Sequence, residues 1–293
     1  MIAEEILRKI KRIEILSRKA ARDLFAGEYH SAFKGRGMEF SQVREYQSGD
    51  DSRFIDWNVS SRLGRLYVKQ FVEERELTII LAIDLSASLR FASVRKSKKE
   101  IAAELSALIA FTAMLNNDKV GLLFFSDRVE QYTPPLKGRT HLLRLIRDIV
   151  EFRPQGRGTS IAGALAYLTS LIKKKAVVFL ISDFLDEGFD TALKIACRKH
   201  DLIAIDIADR VEQTPPAQGH FLLQDLESQA GFSADFGRPA LRREYAAMRL
   251  ARSRRLQELF RRHGIDSLAI DSSRDYEKPL FDLFLKRRKK FAR

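Results

Sequence analysis

From residue 77 onwards, short apolar runs alternate with segments of helical periodicity, and this alternation constrains the fold more than any other feature of the sequence. The runs that predict buried strands are LTIILAID, KVGLLFFS, AVVFLISD, DLIAIDIAD and IDSLAID. Apolar runs of this length between helices are typical of parallel strands that are covered on both faces. We therefore expect a doubly wound, mostly parallel α/β sheet that binds its ligands beyond the carboxyl ends of the strands.

Other segments of the same region have distinct patterns. QYTPP predicts a short strand that ends at its prolines, and FLLQDLESQAGFSADF predicts a β-hairpin. The helix predicted by TSIAGALAYLTSLIKKK has Thr159 or Ser160 as its N-cap. A long basic helix is predicted to end at Gly264.

The first 76 residues have a different texture and predict an accessory segment, which leaves residues 77–293 as the sheet domain. Residues 27–76 are rich in glycine, aromatic residues and paired charges with weak periodicity, and LYVKQFVE is the clearest strand among them. Before them, apolar residues recur at helical spacing and predict an amphipathic N-terminal helix. These are Ile6, Ile10, Ile13 and Leu16.

Composition restricts the class of protein. With 45% hydrophobic and 31% charged residues among 293, the chain has an ordinary globular composition, and it contains no run of about 20 apolar residues that would span a bilayer. Acidic and basic residues interrupt the N-terminus, so it does not resemble a signal peptide. Cys197 is the single cysteine, which excludes an internal disulfide and a cysteine metal cluster. We expect a cytoplasmic protein, or one at the periphery of a membrane.

The net charge of +13 is concentrated at the C-terminus, where residues 238–293 carry 17 basic and 7 acidic side chains. Such a run is often a solvated face. It also suits contact with an acidic partner or a membrane surface. Contact with nucleic acid is less favoured, because no nucleic-acid-binding motif accompanies the run.

Oxygen-bearing side chains follow two of the predicted strands and begin one helix. Asp84, Ser86 and Ser88 form a D-x-S-x-S pattern after LTIILAID, and Asp183 follows the strand in AVVFLISD. Thr159 lies between a glycine-containing loop and a helix start, where its hydroxyl can project from the same sheet edge. Hydroxyl and carboxylate oxygens are ligands for hard divalent cations, although Asp and Ser also favour plain turns.

These five positions resemble the metal-ion-dependent adhesion site of von Willebrand factor A domains. The resemblance implies a von Willebrand factor A-like fold, with Ser86, Ser88 and Thr159 approaching Mg²⁺ (or Mn²⁺ or Ca²⁺) through their hydroxyls. Asp84 and Asp183 would mainly hold the waters of the cation and balance its charge. A partner's carboxylate would take the open coordination position.

A second resemblance lies in residues 35–74, GRGMEFSQVREYQSGDDSRFIDWNVSSRLGRLYVKQFVEE. Their spaced Gly, Arg, Asp and aromatic residues are similar to the signature of the bacterial family of unknown function number fifty-eight, which joins this signature to a von Willebrand factor A-like domain. The resemblance implies an adaptor, or a protein that handles client proteins, working with a MoxR-type AAA+ ATPase in complex assembly or maturation. From the residues alone, the segment predicts internal salt bridges of Arg44, Arg53 and Arg62 with neighbouring acids, or a docking surface for a partner. Trp57 is predicted to anchor the segment, in preference to the alternative of a stacking platform for nucleic acid.

The leading hypothesis is therefore a metal-dependent protein-interaction module that binds an acidic client side chain through Mg²⁺, and not an enzyme. No P-loop, nucleophile elbow or dinucleotide motif occurs, and we expect no small-molecule substrate. Two alternatives stay open: binding of a membrane surface or nucleic acid through the basic C-terminus, and a metal-dependent phosphoester hydrolase.

Overall fold

The structure is a computed structural model that describes residues 11, 15, 21, 39–72, 76–93, 96–216 and 218–291. The predicted N-terminal helix lies largely outside these residues. The chain divides into two compact units, a small one over Phe33–Glu76 and a larger one that contains Leu77–Arg293. We describe each unit by itself.

The small unit is an antiparallel strand pair with a short helix between its strands. Strands β1 (Glu39–Glu45) and β2 (Tyr67–Val72) pair with each other, and helix α1 (Trp57–Leu63) lies between them in the chain. Asp56 caps α1 by accepting hydrogen bonds from two backbone N–H groups, and Gly64 ends it with a φ of 68°, a value that favours glycine. A 3-10 turn (Ser52–Phe54) precedes the helix.

Ion pairs do connect parts of the small unit, as the paired charges of its sequence predict. Arg44 donates two hydrogen bonds to the carboxylate of Asp50, at 2.6 and 2.8 Å. The partner of Arg53 is its close neighbour Asp51. The predicted anchoring role of Trp57 is wrong, because 67% of this residue is exposed.

The larger unit is built on a six-stranded sheet. Its strands are β3 (Thr78–Asp84), β4 (Lys119–Phe125), β5 (Val129–Leu136), β6 (Val177–Ser182), β7 (Asp201–Ala208) and β10 (Asp266–Asp271). They lie in the order β10-β7-β6-β3-β4-β5, and every neighbouring pair is parallel except β4 with β5. When the six strands are renumbered 1 to 6 in chain order and read from the β5 edge, this is the doubly wound order 3-2-1-4-5-6.

Helices cover both faces of this sheet. They are α2 (Lys98–Leu115), α3 (Arg139–Glu151), α4 (Ile161–Leu171), α5 (Asp190–Lys199), α6 (Arg210–Gln213), α7 (Pro239–Arg262) and α8 (Glu277–Phe291). Alternate strand residues point to opposite faces, so Ile80 and Ala82 pack with α4 and α5 in one core cluster. On the opposite side, the ring of Phe179 in β6 contacts Phe284 of α8. The predicted doubly wound, mostly parallel α/β fold is confirmed.

A hairpin projects from the chain between α6 and α7. Its strands, β8 (His220–Gln224) and β9 (Gly231–Asp235), pair antiparallel and form a sheet of their own, as the sequence predicted. The turn that joins them spans residues 225–230. This turn is important for the site described below.

The edge strand β5 differs from its prediction, because its prolines lie inside the strand and do not end it. Pro134 and Pro135 are part of Val129–Leu136, which pairs on one side only, with β4. Proline is tolerated in an edge strand because one row of its backbone groups has no ladder partner. The register of the β4–β5 pair shifts at Gly121, opposite these prolines. Glycine leaves room for this irregularity, since a Cβ at position 121 would lie 3.0 Å from the backbone nitrogen of Pro135.

Within the described part of the chain, no helix has the length and apolarity needed to cross a membrane. The long basic helix α7 begins with Pro239 and is followed by Gly264 at a φ of 67°, close to the predicted end. Ser160, and not Thr159, is the N-cap of α4.

Candidate metal centre

The candidate site is at the carboxyl edge of the sheet, where the two central strands end. Asp84 is the last residue of β3, and Asp183 directly follows β6. The two strands are neighbours in parallel register, with Ile83 opposite Ile181. The sheet thus brings the two predicted carboxylates to the same edge because the parallel strands end side by side.

Asp84 is fully buried and bonded on both oxygens. Its Oδ1 accepts the backbone N–H of Ser86 at 2.8 Å, and its Oδ2 accepts the hydroxyl of Ser182 at 2.6 Å. Burial, reinforced by the charge of Asp183, raises the pKa of Asp84 to about 7, although both hydrogen bonds act in the opposite direction. Neither partner carries a positive charge.

The two serines of the D-x-S-x-S pattern lie together in the loop after β3. Their hydroxyl oxygens are 3.0 Å apart, and both residues are buried. Ser86 precedes a 3-10 turn (Ala87–Arg90), which carries Ser88 back towards it. The loop therefore presents two hydroxyls side by side, next to the carboxylate of Asp84.

Thr159 is brought to this loop by backbone contacts. The N–H of Ala87 donates to the carbonyl of Arg157 at 2.8 Å, which ties the serine loop to the threonine loop. On its other side the threonine loop is held by Glu130, which accepts the N–H of Gly156 at 2.7 Å. A Cβ at Gly156 would lie 2.2 Å from the side-chain oxygens of Ser126 and Asp127, so a larger residue here would displace these side chains.

Asp183 is in a different environment, because it already has a cationic partner. The ammonium of Lys98, fully buried at the start of α2, lies 2.8 Å from Asp183 Oδ2 and 2.7 Å from Glu212 Oε1. Burial alone would lower the pKa of Lys98, but the two carboxylates outweigh it and raise that pKa above its ordinary value. Asp183 is thus a shared anion, facing both Lys98 and the site.

The backbone turns sharply after Asp183. Phe184 has a φ of 51°, in the left-handed region that is rare for a bulky residue, and its N–H donates to the hydroxyl of Ser182 at 3.0 Å. Its ring packs against Phe260 of α7 with centroids 5.2 Å apart. Such strain persists only where the surroundings hold it, and it is common at functional sites.

A charged cluster extends from Asp183 towards α7. Asp206 in β7 lies opposite Ser182, and burial, together with the charge of Asp183, raises its pKa to about 7. The charges of Arg249 and Arg252 oppose this shift. Arg252 also donates a hydrogen bond to the carbonyl of Phe184, which links α7 to the strained turn.

Sequence reasoning missed three residues that contact the predicted ligands. Ser182 bonds Asp84, Lys98 pairs with Asp183, and Glu227 of the hairpin turn accepts the hydroxyl of Thr159 at 2.9 Å. Ser182 was recognisable as a polar residue ending an apolar strand. Lys98 was hidden in the run RKSKKE, where every base looks solvated, and Glu227 is 68 residues from Thr159 along the chain.

The site offers a hard cation mainly hydroxyl oxygens and not a cluster of carboxylates. Among the described residues, no group of three His, Cys, Asp or Glu side chains converges as a metal site. The adjacent hydroxyls of Ser86 and Ser88, with the buried carboxylate of Asp84 beside them, match the oxygen ligation and retained waters that Mg²⁺ prefers. The identity of the five residues as metal ligands stays a prediction.

The sequence profile of the family described as protein of unknown function DUF58 matches residues 42–255. The chain belongs to this family. The DUF58 match includes all five predicted metal residues and the hairpin turn, and it ends within α7. It confirms the family resemblance of the small unit and leaves metal use and an ATPase partner as predictions.

The DUF58 chain has relatives in mycobacteria. It is 28% identical over 272 residues to the uncharacterized protein Mb1516 of Mycobacterium bovis, a match that covers 91% of this chain and 85% of the relative. The uncharacterized protein Rv1480 of Mycobacterium tuberculosis matches with the same identity and coverage.

Solved structures show weaker likeness. The conserved hypothetical protein BatB from Bacteroides thetaiotaomicron is 18% identical with a TM-score of 0.47, over 73% of this chain and 99% of that one. A von Willebrand factor type A protein from Catenulispora acidiphila is 12% identical with a TM-score of 0.39, over 77% and 43% of the two chains. We draw no conclusion on function from scores this low.

Proposed function

We propose that this DUF58 protein is a metal-dependent protein-interaction module. The hydroxyls of Ser86, Ser88 and Thr159 bind Mg²⁺, or Mn²⁺ or Ca²⁺ in its place, and Asp84 and Asp183 hold its waters and balance its charge. The cation, when bound, offers a coordination position to a carboxylate of another protein. The observation that carries the proposal is the adjacent pair of serine hydroxyls, 3.0 Å apart, beside the buried Asp84.

Electrostatics supports a cation on the serine side of the site. Asp84 is buried with neutral hydrogen-bond donors only, and an uncompensated carboxylate is costly in such surroundings. A divalent ion held by the neighbouring hydroxyls would supply the missing positive charge. Lys98 supplies that charge on the Asp183 side and so limits how much of Asp183 is available to the ion.

Binding fits the site better than catalysis. The four described histidines bond elsewhere: His141 to a backbone carbonyl, His200 to a backbone N–H, and His220 and His263 to aspartates away from the site. None of these four is therefore in place to act as the general base of a metal-dependent hydrolase at this site, the role that histidine most often takes. We therefore propose recognition, not turnover, as the activity.

The family resemblance supports a class of partner. Signatures like that of residues 35–74 accompany MoxR-type AAA+ ATPases, so we propose that the acidic partner is such an ATPase or a client protein that it remodels. The test is co-purification of the chain with a MoxR-type ATPase in Mg²⁺ and in EDTA. Loss of the complex in EDTA is expected, and a complex that ignores EDTA would contradict metal-mediated contact.

The decisive experiment measures cation affinity by calorimetry with MgCl₂ and MnCl₂. Replacing both serines (Ser86→Ala with Ser88→Ala) is expected to weaken binding by ~100-fold, since ligating and positioning groups each contribute 10-fold or more. A matched control, Ser253→Ala with Ser267→Ala, removes two exposed hydroxyls elsewhere and should leave affinity unchanged. Unchanged affinity in the Ser86/Ser88 variant would refute the proposal.

A second function is supported by helix α7, whose arginines divide into two groups. Arg249 and Arg252 face the charged cluster of the site, whereas others are exposed and available to an anionic surface. The exposed group is Arg243, Arg254, Arg255 and Arg261, whereas Arg262 beside them pairs with Asp190 at 3.8 Å. Sedimentation with vesicles containing anionic lipid should show binding that salt weakens, and binding to duplex DNA alone would favour nucleic acid instead.

A further inference from the structure

The turn of the β8–β9 hairpin is built to hold one side chain in place. The Asp225 carboxylate accepts the N–H of Glu227 at 3.0 Å and the hydroxyl of Ser228. Backbone hydrogen bonds close the turn, from Asp225 N–H to the carbonyl of Ala230 and from Gln229 N–H to the carbonyl of Asp225, each at 2.8 Å. Glu227 is partly buried, whereas Asp225, Ser228 and Gln229 around it are exposed.

The carboxylate of Glu227 is next to the hydroxyls of the predicted metal ligands. Its Oε1 accepts the hydroxyl of Thr159 at 2.9 Å, and the hydroxyl of Ser88 is close enough to interact with the same carboxylate. Ser88 in turn is 3.0 Å from Ser86. One carboxylate of the chain therefore contacts two of the three hydroxyls that would bind the cation, and the third is adjacent.

The charges around Glu227 do not explain its position. Asp183 lies close enough for its charge to act on Glu227, and the interaction is repulsive. Among the described residues, no lysine or arginine forms a salt bridge with Glu227 within 4.0 Å. A partly buried carboxylate near another anion is stabilised by a cation between them, and hydroxyls that could hold such a cation are in contact with it.

The geometry points to Glu227 as an internal ligand of the cation, which occupies the coordination position that a partner's carboxylate would otherwise take. This inference rests on the proposed metal-dependent function and adds its regulation. The hairpin closes the site with a carboxylate of the same chain. An acidic partner binds only after the turn has moved Glu227 away from Thr159 and Ser88.

Competition of this kind is strong because it is intramolecular. A tethered carboxylate acts at an effective concentration in the millimolar range or above, so a free carboxylate of equal intrinsic affinity competes poorly. A partner that also contacts the hairpin could release the turn and gain access. The hairpin would then select for partners that recognise more than an acidic side chain.

The test uses the whole chain loaded with Mn²⁺, whose water-proton relaxation reports how many waters remain on the ion. The variants are Glu227→Gln, which keeps the shape of the side chain, and Glu227→Ala, which removes it. The control, Glu258→Gln, makes the same charge change at an exposed position of α7. Acetate is then titrated into each Mn²⁺-loaded protein as the probe for a free carboxylate.

Two changes of opposite sign are expected. Removing Glu227 should weaken Mn²⁺ binding by ~10-fold and increase the number of waters on the ion, because a protein ligand is lost. The same variants should bind acetate about 10-fold more tightly, because the competing carboxylate is gone. The Glu258 variant should match the wild type in both measurements.

The outcomes separate this inference from the function on which it rests. If the wild type binds Mn²⁺ but the Glu227 variants keep its hydration and its acetate affinity, Glu227 is not a ligand and the proposed metal site stands. If the wild type binds no divalent cation, both proposals are overturned. Weaker Mn²⁺ binding without tighter acetate binding would overturn the competition between hairpin and partner.

Discussion

The two halves of the candidate site differ in how they satisfy their carboxylates. On the β3 side, Asp84 is bonded only by neutral groups, Ser182 and the N–H of Ser86. On the β6 side, Asp183 has the ammonium of Lys98 at 2.8 Å. Two carboxylates at the same sheet edge, on neighbouring strands, can therefore differ in charge compensation. Among the residues that the structure describes, Asp84 has no cationic partner, whereas Asp183 is paired with the ammonium of Lys98. A bound metal ion would therefore stabilise the folded protein more through the β3 side, which also carries the hydroxyls of Ser86 and Ser88, than through the β6 side.

The largest expected effect on stability comes from removing the ammonium of Lys98. Lys98→Met keeps the apolar stem of the side chain but leaves Asp183 and Glu212 facing each other, so the metal-free protein should lose about 3–5 kcal/mol of unfolding free energy. Urea denaturation in EDTA measures the loss. Saturating Mg²⁺ should restore part of it, because the ion can take over the charge of Asp183.

The control for that experiment is Lys194→Met, at an exposed position of α5, where the change should be within about 0.5 kcal/mol. A Lys98 variant as stable as the wild type would mean that the two halves do not differ in the way described. In that case the ammonium of Lys98 would not be the group that compensates the charge of Asp183.

A smaller effect is expected from disturbing the hydroxyl half. Gly156→Ala places a methyl group 2.2 Å from the side-chain oxygens of Ser126 and Asp127, so these side chains or the loop that carries Thr159 must shift, at a cost of about 1–3 kcal/mol. Cation affinity measured by calorimetry should fall as well. Gly158→Ala in the same loop is the matched control, because its Cβ would meet nothing closer than 3.6 Å. Equal behaviour of the two alanine variants would refute the argument.

The smallest effect concerns pH. Because the pKa of Asp206 is raised from 3.8 to about 7 in the folded protein, its contribution to stability is complete below about pH 4 and is lost as the pH rises through about 7. In EDTA, the wild type should therefore lose roughly 1 kcal/mol more than Asp206→Asn between about pH 6.3 and pH 8.

The comparison is made by urea denaturation at several pH values, with Asp282→Asn, an exposed change on α8, as the control. The raised pKa of Asp84 affects all three proteins alike and cancels in the difference. If the unfolding free energies of the wild type and the Asp206 variant change in parallel with pH, the pKa of Asp206 is not raised in the folded protein.

Local pattern was enough to predict the sheet and the placing of its carboxylates. Apolar strands of six to eight residues that alternate with helices predict a mostly parallel sheet, and this puts Asp84 and Asp183 at one edge. The contacts of Lys98 and Glu227 were not predictable in this way. They depend on which base of a charged run turns inward and on how a hairpin folds back over 68 residues, and neither leaves a periodic signal.

The small unit illustrates the same limit. Its paired charges predicted ion pairs, and these exist, but Arg53 pairs with Asp51, two residues away, so the pairing is local. Trp57 is predicted from the sequence to anchor this segment, yet its position at the start of α1 leaves it exposed. Residue type alone does not determine burial in a segment with weak periodicity.

The prolines of the edge strand have a consequence for self-association. An edge strand with free backbone donors and acceptors can recruit a strand from another molecule, which is a common route to aggregation. Pro134 and Pro135 have no N–H to donate, and they lie inside β5, the antiparallel edge of the main sheet. Strand addition at this edge is disfavoured, so the protein can be abundant without its sheet growing from molecule to molecule there.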